Sequence, residues 1–217
     1  MKQKIKNIVF DFGGVLLNIE PDRTIESMQQ ITGLDWKTIT QRPNTTLEIL
    51  HRFEKGEISV ETFINHIQRK SVFQLDPRQI IDAWNAMLIG WNPTTFDRLK
   101  ALKEDYNLYL LSNINSLHLE WIHKNLKKIH RIVDFENTFF DHVFYSHKIG
   151  FRKPNSDIYH YVQDMTQIKS DETLFIDDLP ENINAAKSSV GWHCLLHNPD
   201  QNVFDTLSAE LLTPEKC

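Results

Sequence analysis

Four short stretches of this chain end in residue types that can handle a phosphoryl group. The first is Ile8-Val9-Phe10-Asp11, an apolar run that stops on a carboxylate and is followed by Gly13-Gly14. A continuous apolar run of this length suits a strand buried on both faces of a parallel sheet. Ligands bind outside the carboxyl ends of such strands, where Asp11 falls, and the two glycines allow a sharp turn close to a ligand. Leu108 to Leu111 likewise runs into Ser112-Asn113, and Thr173 to Ile176 runs into Asp177-Asp178. Between them, the strand-like Val143-Phe144-Tyr145 is followed by Gly150-Phe151-Arg152-Lys153-Pro154. Converging carboxylates and one lysine make a hard-cation site beside an anion site. That is the chemistry of phosphoryl transfer through an aspartate.

With these residues in this order, the chain resembles the haloacid dehalogenase superfamily over nearly its whole length. Asp11 matches the nucleophile motif, Ser112 the second, Lys153 of Arg-Lys-Pro the third and Asp177-Asp178 the acidic fourth. The resemblance implies that Asp11 attacks phosphorus and passes through an aspartyl-phosphate. It implies Mg2+ held by Asp11, the backbone carbonyl of Gly13 and Asp178, with Asp177 acting through a bound water. Ser112 and the amide of Asn113 would hold a phosphoryl oxygen, helped by a helix N-terminus, and Lys153 would screen charge between Asp11 and the substrate. One position departs from the pattern. Most phosphatases of the superfamily carry an acid two residues after the nucleophile; Gly13 stands there, as in some sugar-1-phosphate phosphatases.

Each residue also has a plainer reading. Asp11 could open a turn, and Ser112 could cap the helix that follows. Lys153 could be solvated, although Pro154 biases it towards an extended backbone. Asp178-Leu179-Pro180-Glu181 fits a helix N-cap with Glu three residues on. Asn182 could orient either aspartate or sit on an exposed helix face. His118 and His123 lack the spacing of a helical metal pair. Lys124, Lys127, Lys128 and Arg131 read as a solvated basic face.

The elements that must position these groups fall into two sets. From Asp22 to Gly90 the apolar spacing is helical, with Ile25, Met28 and Ile31, then Leu47, Leu50 and Phe53, then Phe63, Ile64 and Ile67, then Ile80, Ile81, Trp84 and Met87. Four helices without a strand exceed what one crossover needs, so they predict a small inserted bundle. From Asn92 onward strands and helices alternate, which predicts a parallel sheet with helices on both faces. The expected fold is therefore α/β, a Rossmann-like parallel sheet (order 3-2-1-4-5, as the resemblance implies) with an inserted four-helix cap. The expected division is a core of residues 1–17 and 91–217 and a helical cap of residues 18–90.

Bulk properties narrow the partners. The chain has 217 residues, 41% hydrophobic and 24% charged, which is ordinary for a soluble globular protein. A net charge of −5 argues against a nucleic-acid partner. No apolar run reaches membrane-spanning length. Lys2, Lys4 and Lys6 precede an apolar run, but Asp11 interrupts it too early for a secretory signal. The two cysteines, Cys194 and Cys217, make no disulfide framework, so a cytoplasmic location is expected. The resulting expectation is magnesium-dependent hydrolysis of a small phosphorylated substrate, a sugar phosphate such as a hexose 1-phosphate, by a monomer or weak homodimer. Two rivals stand: a metal-independent dehalogenase-type hydrolase, and a non-catalytic relative that binds a phospho-ligand or a protein.

Overall fold

The computed structural model describes residues 5–212; Lys2, Lys4 and Cys217 lie outside the described residues. Among the described residues there are seven strands: β1 (Asn7–Phe10), β2 (Leu17–Ile19), β3 (Leu88–Trp91), β4 (Asn107–Ser112), β5 (His142–Tyr145), β6 (Thr173–Asp177) and β7 (His193–Leu196). Five of them form one sheet in the order β5-β4-β1-β6-β7, every pairing parallel. Counted along the chain among themselves, these five run 3-2-1-4-5. β1 is central and buried on both faces, which is why it reads as an unbroken apolar run.

Alternation along each strand sends side chains to two separate cores. Ile8, Phe10, Leu108, Leu110, Leu174 and Ile176 pack on one face. Val9, Leu111, Phe144 and Phe175 pack on the other, against Ile158, Tyr159 and Trp192. The helices that cover the sheet are α6 (Thr95–Lys103), α7 (Ser116–Asn125), α8 (Phe135–Phe139), α9 (Ser146–Ile149), α10 (Ser156–Thr166), α11 (Pro180–Val190) and α12 (Val203–Leu212), numbered after the five of the insert described next. A π-turn, Leu126–His130, extends α7 and carries Lys127 and Lys128 of the basic run; Arg131 ends it in the left-handed region.

The insert differs from expectation in two ways. It holds five α-helices: α1 (Pro21–Thr32), α2 (Trp36–Gln41), α3 (Thr45–Glu54), α4 (Val60–Lys70) and α5 (Pro77–Trp84). The unexpected one is α2, capped by Asp35 and buried through Trp36. Its six residues make under two turns, too few to display a helical period. The second difference is a pair of strands at the base of the insert. β2 and β3 pair antiparallel, Leu17 opposite Trp91 and Ile19 opposite Leu88, across the boundaries expected at residues 17/18 and 90/91. Strands of three and four residues, one containing Gly90, carry no alternation to read.

The insert has its own core of Met28, Trp36, Leu50, Phe53, Phe63, Ile67, Ile80 and Trp84, joined by Leu117 of α7. Two seats dock it on the sheet domain. At one, His118 stacks on Trp84 with ring centroids 5.5 Å apart, its Nε2 3.1 Å from the Trp84 carbonyl oxygen. At the other, the end of α3 meets α9: Ser146 Oγ donates to the Glu54 carbonyl at 2.6 Å. A Cβ on Gly56 would run into the carbonyl oxygen of His147, so the two backbones are in direct contact there. No helix among the described residues is long and apolar enough to cross a membrane.

Candidate active site

Three parallel strands, β1, β4 and β6, end side by side, and the chemistry-bearing residues follow from their last positions. The Asp11 N–H donates to the Ile176 carbonyl at 2.8 Å, which prolongs the ladder by one residue and fixes Asp11 beside Asp177. Lys153 reaches across from the loop between α9 and α10. Its Nζ lies 2.6 Å from Asp11 Oδ1 and 2.6 Å from Asp177 Oδ2 and is buried with them. The ammonium also sits over the Phe175 ring, 5.5 Å from its centroid. The ring gives the buried ammonium an apolar floor.

The adjacent aspartates have different duties. Asp177 is fully buried, and its other oxygen, Oδ1, accepts the Leu179 N–H and the Asn182 side-chain amide, each at 2.9 Å. Asn182 is thus buried and orients Asp177 rather than facing solvent. Asp178 lies nearer the surface and packs against Gly14, where a Cβ would stand 2.5 Å from Asp178 Oδ2. The capping reading of Asp178 fails: α11 has Leu179 at its N-cap, without a side-chain bond, and Pro180 in its first turn. Likewise Ser112 does not cap α7. Asn115 does so, accepting the His118 N–H at 3.0 Å, which leaves the buried Ser112 hydroxyl at the end of β4 free of that duty.

Electrostatics set the character of the cluster. One oxygen from each of Asp11, Asp177 and Asp178 falls within a 4.8 Å group. Burial pushes the Asp11 carboxyl up to about 7, Lys153 opposing and Asp177 adding to the shift. Burial and the Asp177 charge push Asp178 up to about 6. Burial works against the charge on Lys153, but Asp11 and Asp177 hold its pKa above the ordinary lysine value. With all three carboxylates ionised, the cluster carries two negative charges in excess of its one ammonium, in a site lined by oxygen donors. A divalent hard cation such as Mg2+ fits that donor set and charge.

Three features lie beyond what the sequence reading found. Beside Gly13, a Cβ would come within 3.0 Å of Ile19 Cδ1, so the place of the missing acid is bordered by an aliphatic side chain from β2. Glu54 of α3 accepts from Arg152 Nε at 3.1 Å and Nη2 at 3.0 Å, which ties the insert to the residue before Lys153. The Asn113 side chain is bonded to the Lys153 backbone at both of its polar atoms. These contacts join residues 40 to 98 positions apart or lie across an insert boundary, so no local pattern announces them. His51 lies on the same side of α3, near enough for the Arg152 charge to help burial hold its pKa below the usual value. Arg52 and Lys55 instead pair with Glu57.

A central parallel sheet with an acidic cluster and a buried lysine at its carboxyl end defines a hydrolase class. The chain belongs to the haloacid dehalogenase-like hydrolases, whose family model matches residues 5–189. Among curated relatives it is similar to a D-ribitol-5-phosphate phosphatase of Bacteroides thetaiotaomicron, 27% identical over 84% of this chain and 87% of the relative. Among solved structures it is similar to one described as a predicted HAD-like family hydrolase from Porphyromonas gingivalis (31% identity, 97% and 99% coverage, TM-score 0.84). A HAD family enzyme of B. thetaiotaomicron, solved in complex with magnesium and inorganic phosphate, is also similar (28% identity, 91% and 96% coverage, TM-score 0.79).

Proposed function

We propose that the protein is a magnesium-dependent phosphatase acting on a small phosphomonoester of the sugar or polyol class. The observation that carries this reading is the shared position of Lys153 between Asp11 and Asp177, with Asp178 alongside. Asp11 is the nucleophile: one carboxylate oxygen bonds to phosphorus as the P–O bond to the alcohol breaks, giving an aspartyl-phosphate. Water then cleaves that intermediate and releases phosphate. Lys153 neutralises charge between Asp11 and the incoming phosphoryl group. Ser112 Oγ and the backbone amide of Asn113 hold a phosphoryl oxygen.

Asp11, Asp178 and the Gly13 carbonyl would hold Mg2+, and Asp177, committed to Lys153, Leu179 and Asn182, would act on it only indirectly. When bound, the cation offsets the repulsion between carboxylate and phosphate. This is also the argument against a metal-independent dehalogenase, which has no use for Asp178. The relative that acts on D-ribitol 5-phosphate supports a polyol or sugar phosphate as substrate.

Gly13 has no proton to give the leaving oxygen, and Ile19 beside it has none either. General acid assistance is worth about 10²–10⁴-fold, so without it the rate depends steeply on how well the leaving oxygen bears charge. An anomeric oxygen bears it better than a primary alkoxide. The test is a panel of phosphate esters, with and without chelator, on the wild type and Asp11→Asn. Expected are loss of phosphate release in chelator and in Asp11→Asn, and faster cleavage of a sugar 1-phosphate than of its 6-phosphate. Full activity in chelator, with chloride released from chloroacetate, would overturn the phosphatase reading.

A further inference from the structure

We propose that Asn113 is the positioning residue for Lys153, acting through its side-chain amide and resting on the phosphatase reading above. Lys153 sits in a loop outside every strand and helix, yet its ammonium must meet two carboxylates at 2.6 Å each. A lysine stem has four rotatable carbons, so its head is only as well placed as its backbone. That backbone is held at both polar atoms by one side chain. The Lys153 N–H donates to Asn113 Oδ1 at 2.8 Å, and Asn113 Nδ2 donates to the Lys153 carbonyl at 2.8 Å. The amide plane thus substitutes for a neighbouring strand, giving the loop the two-way pairing that a sheet would otherwise supply.

Only an amide of this length does so. Asparagine carries an acceptor oxygen and a donor nitrogen on a single carbon. Aspartate keeps the acceptor, loses the donor and sets a negative charge against a carbonyl. Glutamine adds a methylene and moves the amide away from its partners. Asn113 itself follows the last residue of β4, and β4 pairs with β1, the strand that runs into Asp11. The dipeptide Ser112-Asn113 therefore serves two ends at once, a hydroxyl towards the phosphoryl group and an amide behind the lysine.

The experiment compares Asn113→Ala and Asn113→Asp with wild type, alone and in a Lys153→Ala background, with thermal melts to establish folding. A misplacement of about 1 Å costs roughly 10²-fold in rate. We expect Asn113→Ala to lower kcat by about that factor while KM changes far less. Asn113→Asp, near-isosteric and with one bond kept, loses less. In the Lys153→Ala background the same substitutions remove little further. An equal loss in that background, or wild-type kcat in Asn113→Ala, would overturn the proposal. If wild type cleaves no ester, the phosphatase reading fails by itself, and a crystal structure of Asn113→Ala decides the positioning role. Displacement of Lys153 Nζ from Asp11 or Asp177 sustains it; an unmoved Nζ overturns it.

Discussion

Gly14 is held to glycine for two independent reasons. Its φ of 79° lies in the left-handed region, and a Cβ would meet Asp178 Oδ2 at 2.5 Å. Gly14→Ala therefore strains the backbone, on the order of 1–3 kcal/mol, and pushes aside the carboxylate proposed to bind Mg2+. A lower melting temperature and a higher Mg2+ requirement for half-maximal activity are expected. Gly13→Ala is the contrast, since Gly13 has no positive φ and meets only the far end of Ile19 at 3.0 Å. An unchanged Mg2+ requirement in Gly14→Ala would count against Asp178 as a direct ligand. That Asp11 is followed by a tight glycine turn was legible in the sequence. Which glycine matters was not, because Asp178 comes from another strand.

At the scale of elements, the N-terminal turn of α7 both seats the insert and follows the site. Asn115 Nδ2 can only donate, so His118 Nδ1 accepts from it at 3.2 Å and Nε2 carries the proton given to the Trp84 carbonyl. Burial lowers the His118 pKa from 6.5 to about 4, and the bond to Trp84 offsets this only in part. The unfolded chain then takes up a proton at higher pH than the fold does. Stability present above about 6.5 is lost as the pH falls towards about 4. His118→Gln keeps a donor for Trp84 without titrating, so its melting temperature should fall less steeply over that interval. Identical slopes for variant and wild type would show that His118 does not carry the effect. The long amphipathic helices α1, α3, α4 and α5 were legible because their periodicity spans two turns or more. α2, β2 and β3 were not, being too short for any period, and their form is set by the contacts around them.

For the whole molecule, the excess of two negative charges links the site to overall stability. Mg2+ held by the folded cluster as proposed, and not by the unfolded chain, should raise the melting temperature, by the equivalent of about 2.7 kcal/mol at a hundredfold excess over Kd. Asp178→Asn should abolish most of that increase. Without the cation the same variant should melt higher than wild type at neutral pH, because burial and Asp177 disfavour the Asp178 carboxylate. A metal-induced increase that survives Asp178→Asn would place the cation elsewhere. The alternation of strands and helices, and the order of the chemistry-bearing residues, made the sheet and its acidic end readable. The contacts that tie the insert to the sheet, His118 on Trp84, Ser146 on Glu54 and Arg152 on Glu54, were beyond reach, since they depend on packing between remote segments.

The central place of β1 also governs how the chain is made. Asn7 pairs with Asn107 on one side and Thr173 on the other, and the latter is 166 residues downstream. At about 5–20 residues per second, a ribosome takes roughly 10–30 s to deliver that second partner. Throughout that interval Ile8, Val9 and Phe10 have no completed sheet to enter. The helical insert, by contrast, draws nearly all of its core from residues 28–84 and can collapse while β6 is still unmade. Folding of the sheet is thus tied to the last third of synthesis, and until then the apolar residues of β1 wait outside a finished core.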